Sequence, residues 1–417
     1  MVVAKCLCRW VLPAAFLALP VAAFAPAALG QTYEAPPSFA AAQIRGIVRA
    51  GDNYTVRTPV PSDGFLRVYS LETTYGETVA PGDQMARMRI NELRALALLE
   101  KISSSNTFAT SLANAGLSPI KYTGRLITNP VGTIQGTLSG IGSMFGRLGA
   151  GITNAGKSQD SALGSLLGVT DERRALAATY GVDPYTDYPP LDAKLSQLAE
   201  AAALGGLAVR GALLAVPGAA GIVVSNLSTA HKLDNMSIED LARQYTAAQI
   251  MDLNRKKMFE MEVSPELTNT LLANRNYTPI DTAVMVAAID SMKNVQGRSV
   301  FFDAAAAADQ RSNAYFMRSQ AELLAAEYKR QPGYEHIVTL GGLPFLVAKD
   351  GRFVTVAPLD ALSWTAETAG RIEAFTRARN ELVAKSSGEI RITGQSTPLA
   401  KKQFKALGWT VIDNQRG

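Results

Sequence analysis

The chain has 417 residues, 47% hydrophobic and 18% charged, with 41 Lys and Arg against 36 Asp and Glu. That balance suits two or three packed domains and excludes a chain too polar to bury a core. The formal charge of +5 drops to near +3 once Lys5 and Arg9 are set aside with an export signal, and no basic run is interleaved with aromatics. No nucleic-acid partner is therefore expected.

The first thirty residues have the plan of a secretory signal. Lys5 and Arg9 make a basic start, Val11 to Phe24 an apolar stretch, and Ala28, Leu29 and Gly30 a small-x-small cleavage site before Gln31. Cleavage after Ala25 is disfavoured by Pro26, and the apolar stretch is short for an uncleaved anchor. Both cysteines, Cys6 and Cys8, fall inside this segment, so the exported chain is expected to carry no disulfide, thiolate or cysteine-bound metal.

Residues 31–42 are rich in proline and alanine and read as a tether. Between Gln43 and Val79, IRGIV, YTVRTPV, FLRVYSLETT and ETV are separated by AGDN, SDG and YGE, which predicts three or four short strands. Asp63-Gly64 is a turn signal, and Pro59 and Pro61 confine their run to an edge. Met88, Leu93, Leu96, Leu99 and Ile102 then mark the apolar face of a helix, with Arg87, Arg89, Glu92, Arg94, Glu100 and Lys101 assigned to its other faces.

Asn129 to Gly168 is dense in glycine, and Gly132, Gly136 and Gly140 fall four apart, the spacing that lets backbones approach closely. Each glycine weakens a helix by about 1 kcal/mol relative to alanine, so the segment needs a cover from the protein, a partner or lipid. Within it, Gly151, Gly156, Lys157 and Ser158 fit the phosphate-loop pattern GxxxxGK[ST]. No β-branched strand precedes them and no good helix start follows, so the match is read as chance and no cofactor is expected.

Val169 to Leu204 organises the rest. Thr170 is placed to cap a helix over Asp171 to Tyr180, and Gly181 to end it in the left-handed conformation. Pro184, Pro189 and Pro190 forbid continuation, while Asp183 and Asp187 have side chains that satisfy backbone donors in turns. Leu191, Leu195, Leu198 and Ala202 stripe a second helix that begins at the proline pair. Ala201 to Val224 is long enough to cross a bilayer, but Arg210, Pro217 and its glycines favour a buried hairpin broken at Pro217-Gly218.

From Ser237 to Gln331 the pattern is helical and predicts a bundle of four or five helices. Starts fall at Ser237, Ser264-Pro265 and Thr278-Pro279, and Gly297 is expected to end the helix that begins at Pro279. Met285, Ile289 and Met292 stripe that region as core filling. Beyond Pro332-Gly333, HIVTLG, PFLVA and FVTVAPL predict strands, with a turn at Lys349 to Arg352. A helix from about Ser363 to Ala384 follows. GEIRITG, a helix from Pro398 to Leu407 capped by Thr397 and ended by Gly408, and WTVID complete a strand, helix, strand unit open to parallel pairing.

GVDPYT followed by the proline turn and helix resembles a family of exported proteobacterial proteins with no assigned function. VPSDGFLRVYSLETTYG and TPLAKKQFKALGWTV echo it at either end of the chain. The resemblance implies an envelope location and carries no activity, cofactor or catalytic residue.

Direct signs of catalysis are absent from the sequence. His231 and His336 lack ligand spacing, Asp183, Asp187 and Asp192 lack a calcium-loop pattern, Glu260 and Glu262 suit a solvated helix face, and no GxSxG elbow occurs. The fold class expected is α+β, mainly helical. Its parts are a signal over 1–30, the tether over 31–42, a sheet with a helix over 43–127, a helical domain over 128–331 and an α/β unit over 332–417. The functional expectation is a non-catalytic periplasmic protein that binds or scaffolds an envelope protein or small ligand. Peripheral membrane contact through 129–168 and 201–224, or an enzyme with an Asp/Arg/Tyr site assembled in three dimensions, are the alternatives.

Overall fold

The N-terminal strands form because side chains alternate between core and solvent. In the computed structural model the described residues are 33–117, 170–214 and 232–415. The expected signal segment over 1–30, the glycine-rich segment with Gly151, Gly156, Lys157 and Ser158, Pro217-Gly218 and His231 lie outside them. Strands β1 (Ala50–Gly51), β2 (Tyr54–Val56), β3 (Val68–Thr73) and β4 (Gly76–Pro81) make an antiparallel meander in that order. Tyr69 and Leu71, two apart on β3, are both buried.

Two details differ from the sequence reading. IRGIV is not a strand: Ile44 and Ile47 are both buried although three apart, which a period of two forbids, and Gly46 between them turns the chain at φ +78°. Asp63-Gly64 turns the chain, Asp63 Oδ1 accepting from the N–H groups of Phe65 and Leu66, but the tight hairpin lies further on, where Thr73 pairs with Gly76.

Helix α1 (Asp83–Ser103) buries Met88, Leu93, Leu96, Leu99 and Ile102 as its stripe predicts. Arg89 and Glu92, assigned to the solvent side, are only 4% and 2% exposed, for a reason given below. Helices α2 (Asn106–Asn114) and α4 (Pro189–Leu214) pack beside it, and α3 (Asp171–Thr179) packs on α4. The Thr170 hydroxyl accepts from Arg173 N–H, and Gly181 adopts φ +65°. Leu191, Leu195, Leu198 and Ala202 seal α4 against the core, but Gly206 leaves helical geometry at φ 60°, ψ −148° and kinks it. Val209 and Leu213 after the kink are buried, while Leu204 before it and Leu207 just after it are 58% and 86% exposed.

A hairpin of β5 (Lys232–Leu233) and β6 (Met236–Ser237) leads into six helices. These are α5 (Ile238–Gln244), α6 (Ala247–Glu260), α7 (Pro265–Leu272), α8 (Pro279–Ser291), α9 (Arg298–Ala306) and α10 (Arg311–Arg330), one or two more than the pattern suggests. Every residue of α8 from Pro279 to Ile289 is buried, so α8 is the bundle's axis and needs no polar face. Gly297 does not end α8, which stops at Ser291, but starts α9 at φ +69°. The intervening chain is drawn onto the next sheet, where Gln296 bonds Glu335 O and Ile337 N, and a Cβ on Gly297 would sit 2.7 Å from Ile337 O.

The C-terminal sheet has the order β13-β11-β9-β8-β7, with β7 (Tyr334–Leu340), β8 (Leu343–Ala348), β9 (Phe353–Ala357), β11 (Gly388–Ile392) and β13 (Trp409–Ile412). The first three are antiparallel; β9, β11 and β13 run parallel, connected through α11 (Ala366–Leu382) and α12 (Pro398–Ala406). At the carboxyl ends of β9 and β11 the loops pair as a short parallel ladder of β10 (Ala361–Leu362) with β12 (Gln395–Ser396). The whole is α+β. Apolar side chains gather in two clusters: one holds the N-terminal sheet with α1 to α4, the other the helices from α5 onward with the C-terminal sheet. Residues 171–214 therefore share a core with the N-terminal strands, although helical periodicity groups them with the bundle. Among the described residues no helix is long and apolar enough to cross a membrane.

Candidate functional site

Where the two apolar clusters meet, charged side chains from four elements converge. Arg89 and Glu92 come from α1, three residues apart and so on one face. Asp183, Thr186 and Asp187 come from the corner between α3 and α4, Thr278 and Asp281 from the start of α8. Arg311, Tyr315, Arg318 and Glu322 follow at i, i+4, i+7 and i+11 of α10, a polar stripe turned inward.

The bonds link these elements in sequence. Arg89 meets Glu92 at 2.6 Å and Asp187 at 3.0 Å. Asp187 also takes Arg311 at 3.3 Å, which in turn reaches Asp281 at 2.7 Å, and Arg318 approaches the other Asp281 oxygen at 3.4 Å. The Thr186 hydroxyl donates to Glu92, and the Thr278 hydroxyl donates to Asp183 at 2.6 Å. Asp281 doubles as the capping-box residue of α8, accepting from Thr278 N–H at 2.9 Å. Tyr188 lies under Arg89 at 4.6 Å, and Tyr315 under both Arg311 at 5.5 Å and Arg318 at 5.0 Å. At the centre is a cavity of about 10 Å³, lined by Met88, Glu92, Asp183, Thr186, Asp187, Asp281, Arg311 and Arg318, large enough for one water.

Five carboxyl groups, counting Glu322 at 3.8 Å from Arg318, face three guanidinium groups, and a buried excess charge is costly. The cluster relieves it by holding protons. Burial pushes Glu92 up to about 7; Arg89 opposes this, and the negative charge of Asp187 adds to it. Burial and the charge of Asp281 raise Asp183 to about 6, against the Thr278 hydrogen bond. Burial also acts to raise Asp187, but Arg89 and Arg311 together outweigh it and bring that group down to about 2. Asp187 is the ionised hub, one third exposed, and Glu92 and Asp183 are the groups that titrate near neutrality.

A second buried knot lies nearby. Helix α1 has Gly82 at its N-cap and no side-chain cap of its own. Asp360 supplies one from 277 residues away, its Oδ2 accepting from Asp83 N–H at 2.8 Å and Arg67 N–H at 3.3 Å. Arg67 grips Asp83 at 2.8 Å, and Tyr69 donates to Asp83 at 2.5 Å. Burial and the charge of Asp83 drive the Asp360 carboxyl well above its usual range, against the two N–H groups it caps and the Arg67 guanidinium.

The structure distributes the residues singled out in the sequence as follows. Gly181 ends α3, Asp183 Oδ1 accepts from Tyr185 N–H at 2.8 Å in the turn, Pro184 offers its carbonyl to Arg173 at 2.8 Å, and Pro189 and Pro190 open α4. The carboxylate of Asp187, expected to satisfy turn backbone, goes to Arg89 and Arg311 instead. Asp192 pairs separately with Arg173 at 2.6 Å. His336 is an exposed strand residue on β7, and Glu260 and Glu262 are exposed. Among the described residues no three His, Cys, Asp or Glu side chains are grouped to hold a metal. Arg89, Glu92, Asp281, Arg311 and Arg318 were not singled out. The inward stripe of α10 is the one sequence signal that points to them, since Arg311, Arg318 and Glu322 recur with helical period among Ala314, Met317, Ala321 and Leu324.

No family model, no curated protein and no solved structure matches the chain.

Proposed function

We propose that this is an exported envelope protein that works by binding or scaffolding, with no reaction of its own. One observation carries the reading: at the densest cluster of charge, each ionised side chain is committed to another and the space left holds one water. A cluster closed in this way clamps α1, the α3-α4 corner, α8 and α10 together and leaves no room for a substrate. Export is supported by the plan of residues 1–30 and by the confinement of Cys6 and Cys8 to them. The test is expression of the full chain in a Gram-negative host. A chain beginning at Gln31, released by osmotic shock and migrating above its own mass with a bound component, is the expected result. Retention of Met1 or Lys5 in a cytoplasmic pool refutes the export half, and a lone species with turnover on a hydrolase panel refutes the other.

Membrane contact is the second reading, favoured by Leu204 and Leu207, two large apolar side chains exposed on either side of the Gly206 kink. Flotation of the protein with liposomes, lost in Leu207→Glu, is its expected result; no flotation of the parent chain removes it. The separated proton affinities of Glu92, Asp183 and Asp187 favour an acid-base enzyme as the third reading.

A further inference from the structure

The N-terminal segment ends in an unusual attachment. Glu34 pairs with Trp364 as a strand residue does, its N–H donating to Trp364 O at 3.0 Å, and its side chain then returns to the same residue, Oε1 accepting from Trp364 N–H at 2.6 Å. The same oxygen accepts from the hydroxyl of Thr397, 363 residues distant. Both partners sit at the carboxyl ends of the parallel strands, the edge at which open α/β sheets hold ligands. The ladder of β10 with β12 brings the starts of α11 and α12 side by side there, capped by Thr365 and Thr397. A second carboxylate, Asp413, takes Ser396 N–H at 3.2 Å and its hydroxyl at 2.7 Å, and its other oxygen pairs with Lys401 at 2.6 Å, so carboxylates are received at this edge by hydroxyl, N–H and ammonium donors. The turn before α11 also carries two buried polar atoms with no hydrogen-bond partner, Ser363 Oγ and Trp364 Nε1.

Beyond Glu34 the segment is mostly exposed up to Phe39, which packs under Arg67 at 4.4 Å. Tyr33, Ala35, Pro36 and Ser38 are exposed, and the next backbone pairing is at Phe39 with Val60. Pro36 and Pro37 favour an extended backbone and lack N–H groups for further pairing. Glu34 is therefore held through its main chain and its carboxylate together, next to exposed Ala35 and Pro36.

We infer that the backbone of Trp364 and the hydroxyl of Thr397 form a docking site for an acidic residue in an extended peptide, and that Glu34 occupies it in cis as a built-in competitor. A partner strand bearing Glu or Asp displaces it by reproducing the same three bonds. The inference rests on the binding reading above only in naming the partner, and its test is indifferent to export. The in-chain competitor acts at an effective concentration on the order of millimolar, so a free peptide competes poorly until Glu34 is removed.

The experiment uses the purified full chain and a labelled ten-residue peptide of residues 31–40, in versions carrying Glu or Gln at the position of Glu34, read by anisotropy. Glu34→Ala is expected to bind the Glu peptide roughly ten-fold or more tightly than the Gln peptide, because the bonds gained are to a charged acceptor. The parent chain is expected to show no such preference, and Glu34→Ala with Thr397→Val to lose it. Glu34→Gln, which keeps the shape of the strap, serves as the second variant, and unchanged circular dichroism certifies both. Equal binding of the two peptides by Glu34→Ala, binding of neither, or binding by the parent chain as strong as by the variant overturns the inference.

Discussion

Replacing Glu92 by Gln isolates the proton held at the seam between the two cores. The free carboxyl titrates near 4.5 and the buried one at about 7, so the folded chain holds this proton more tightly than the unfolded chain. Stability from Glu92 is therefore complete below pH 4.5 and is lost as pH rises through 7. Over those two and a half pH steps the loss is about 3 to 4 kcal/mol at roughly 1.4 per step, a sizeable share of a typical folding free energy. Gln has the size of the protonated acid and keeps an oxygen for the Thr186 hydroxyl, but it never ionises. Urea unfolding at pH 5 and pH 8 should show the parent chain losing about 2 to 3 kcal/mol more than Glu92→Gln across that interval. The contributions of Asp183 and Asp187 are common to both proteins and largely cancel. Equal pH dependence in the two, or a parent chain that gains stability at pH 8 relative to the variant, would sink the account of the cluster as a holder of excess protons.

Asp360→Ala should cost about 2 to 4 kcal/mol by leaving two buried N–H groups at the start of α1 without an acceptor. Asp360→Asn keeps an oxygen that can accept from both N–H groups, so it should cost no more than about 1 kcal/mol, and unfolding midpoints compare the pair. Arg391 meets both oxygens of buried Glu327 at 2.8 Å; Arg391→Ala should destabilise by about 3 kcal/mol or more, insensitive to salt between low and high ionic strength. Gly297→Ala forces a Cβ against Ile337 O at positive φ, and a cost of about 1 to 3 kcal/mol is expected, with hydrogen exchange accelerated first along β7.

Local chemistry was legible wherever the determining atoms are near neighbours in the chain. Thr170, Ser237, Ser264, Thr278 and Thr397 cap the helices they precede because a hydroxyl reaches an N–H three residues on, whatever lies beyond. The stripes of α1 and α4 and the parallel β11-α12-β13 unit follow from periodicity in the same way. Gly297 shows the limit: its residue type announces a positive φ, but whether it ends a helix or begins one depends on β7, some forty residues later.

The charged cluster marks the boundary between the two kinds of information. By itself the amino-acid sequence determined where the helices capped by Thr170, Ser237, Ser264, Thr278 and Thr397 begin, and that the corner from Gly181 to Pro190 is a rigid turn. Only the tertiary structure decided that Asp187 leaves that turn for Arg89 and Arg311, that Asp360 caps a helix begun 277 residues earlier, and that Glu92 faces inward. The physical reason is that burial of charge depends on opposing charges from α1, α8 and α10 arriving at one place. No periodicity along a single element encodes the partners that another element brings.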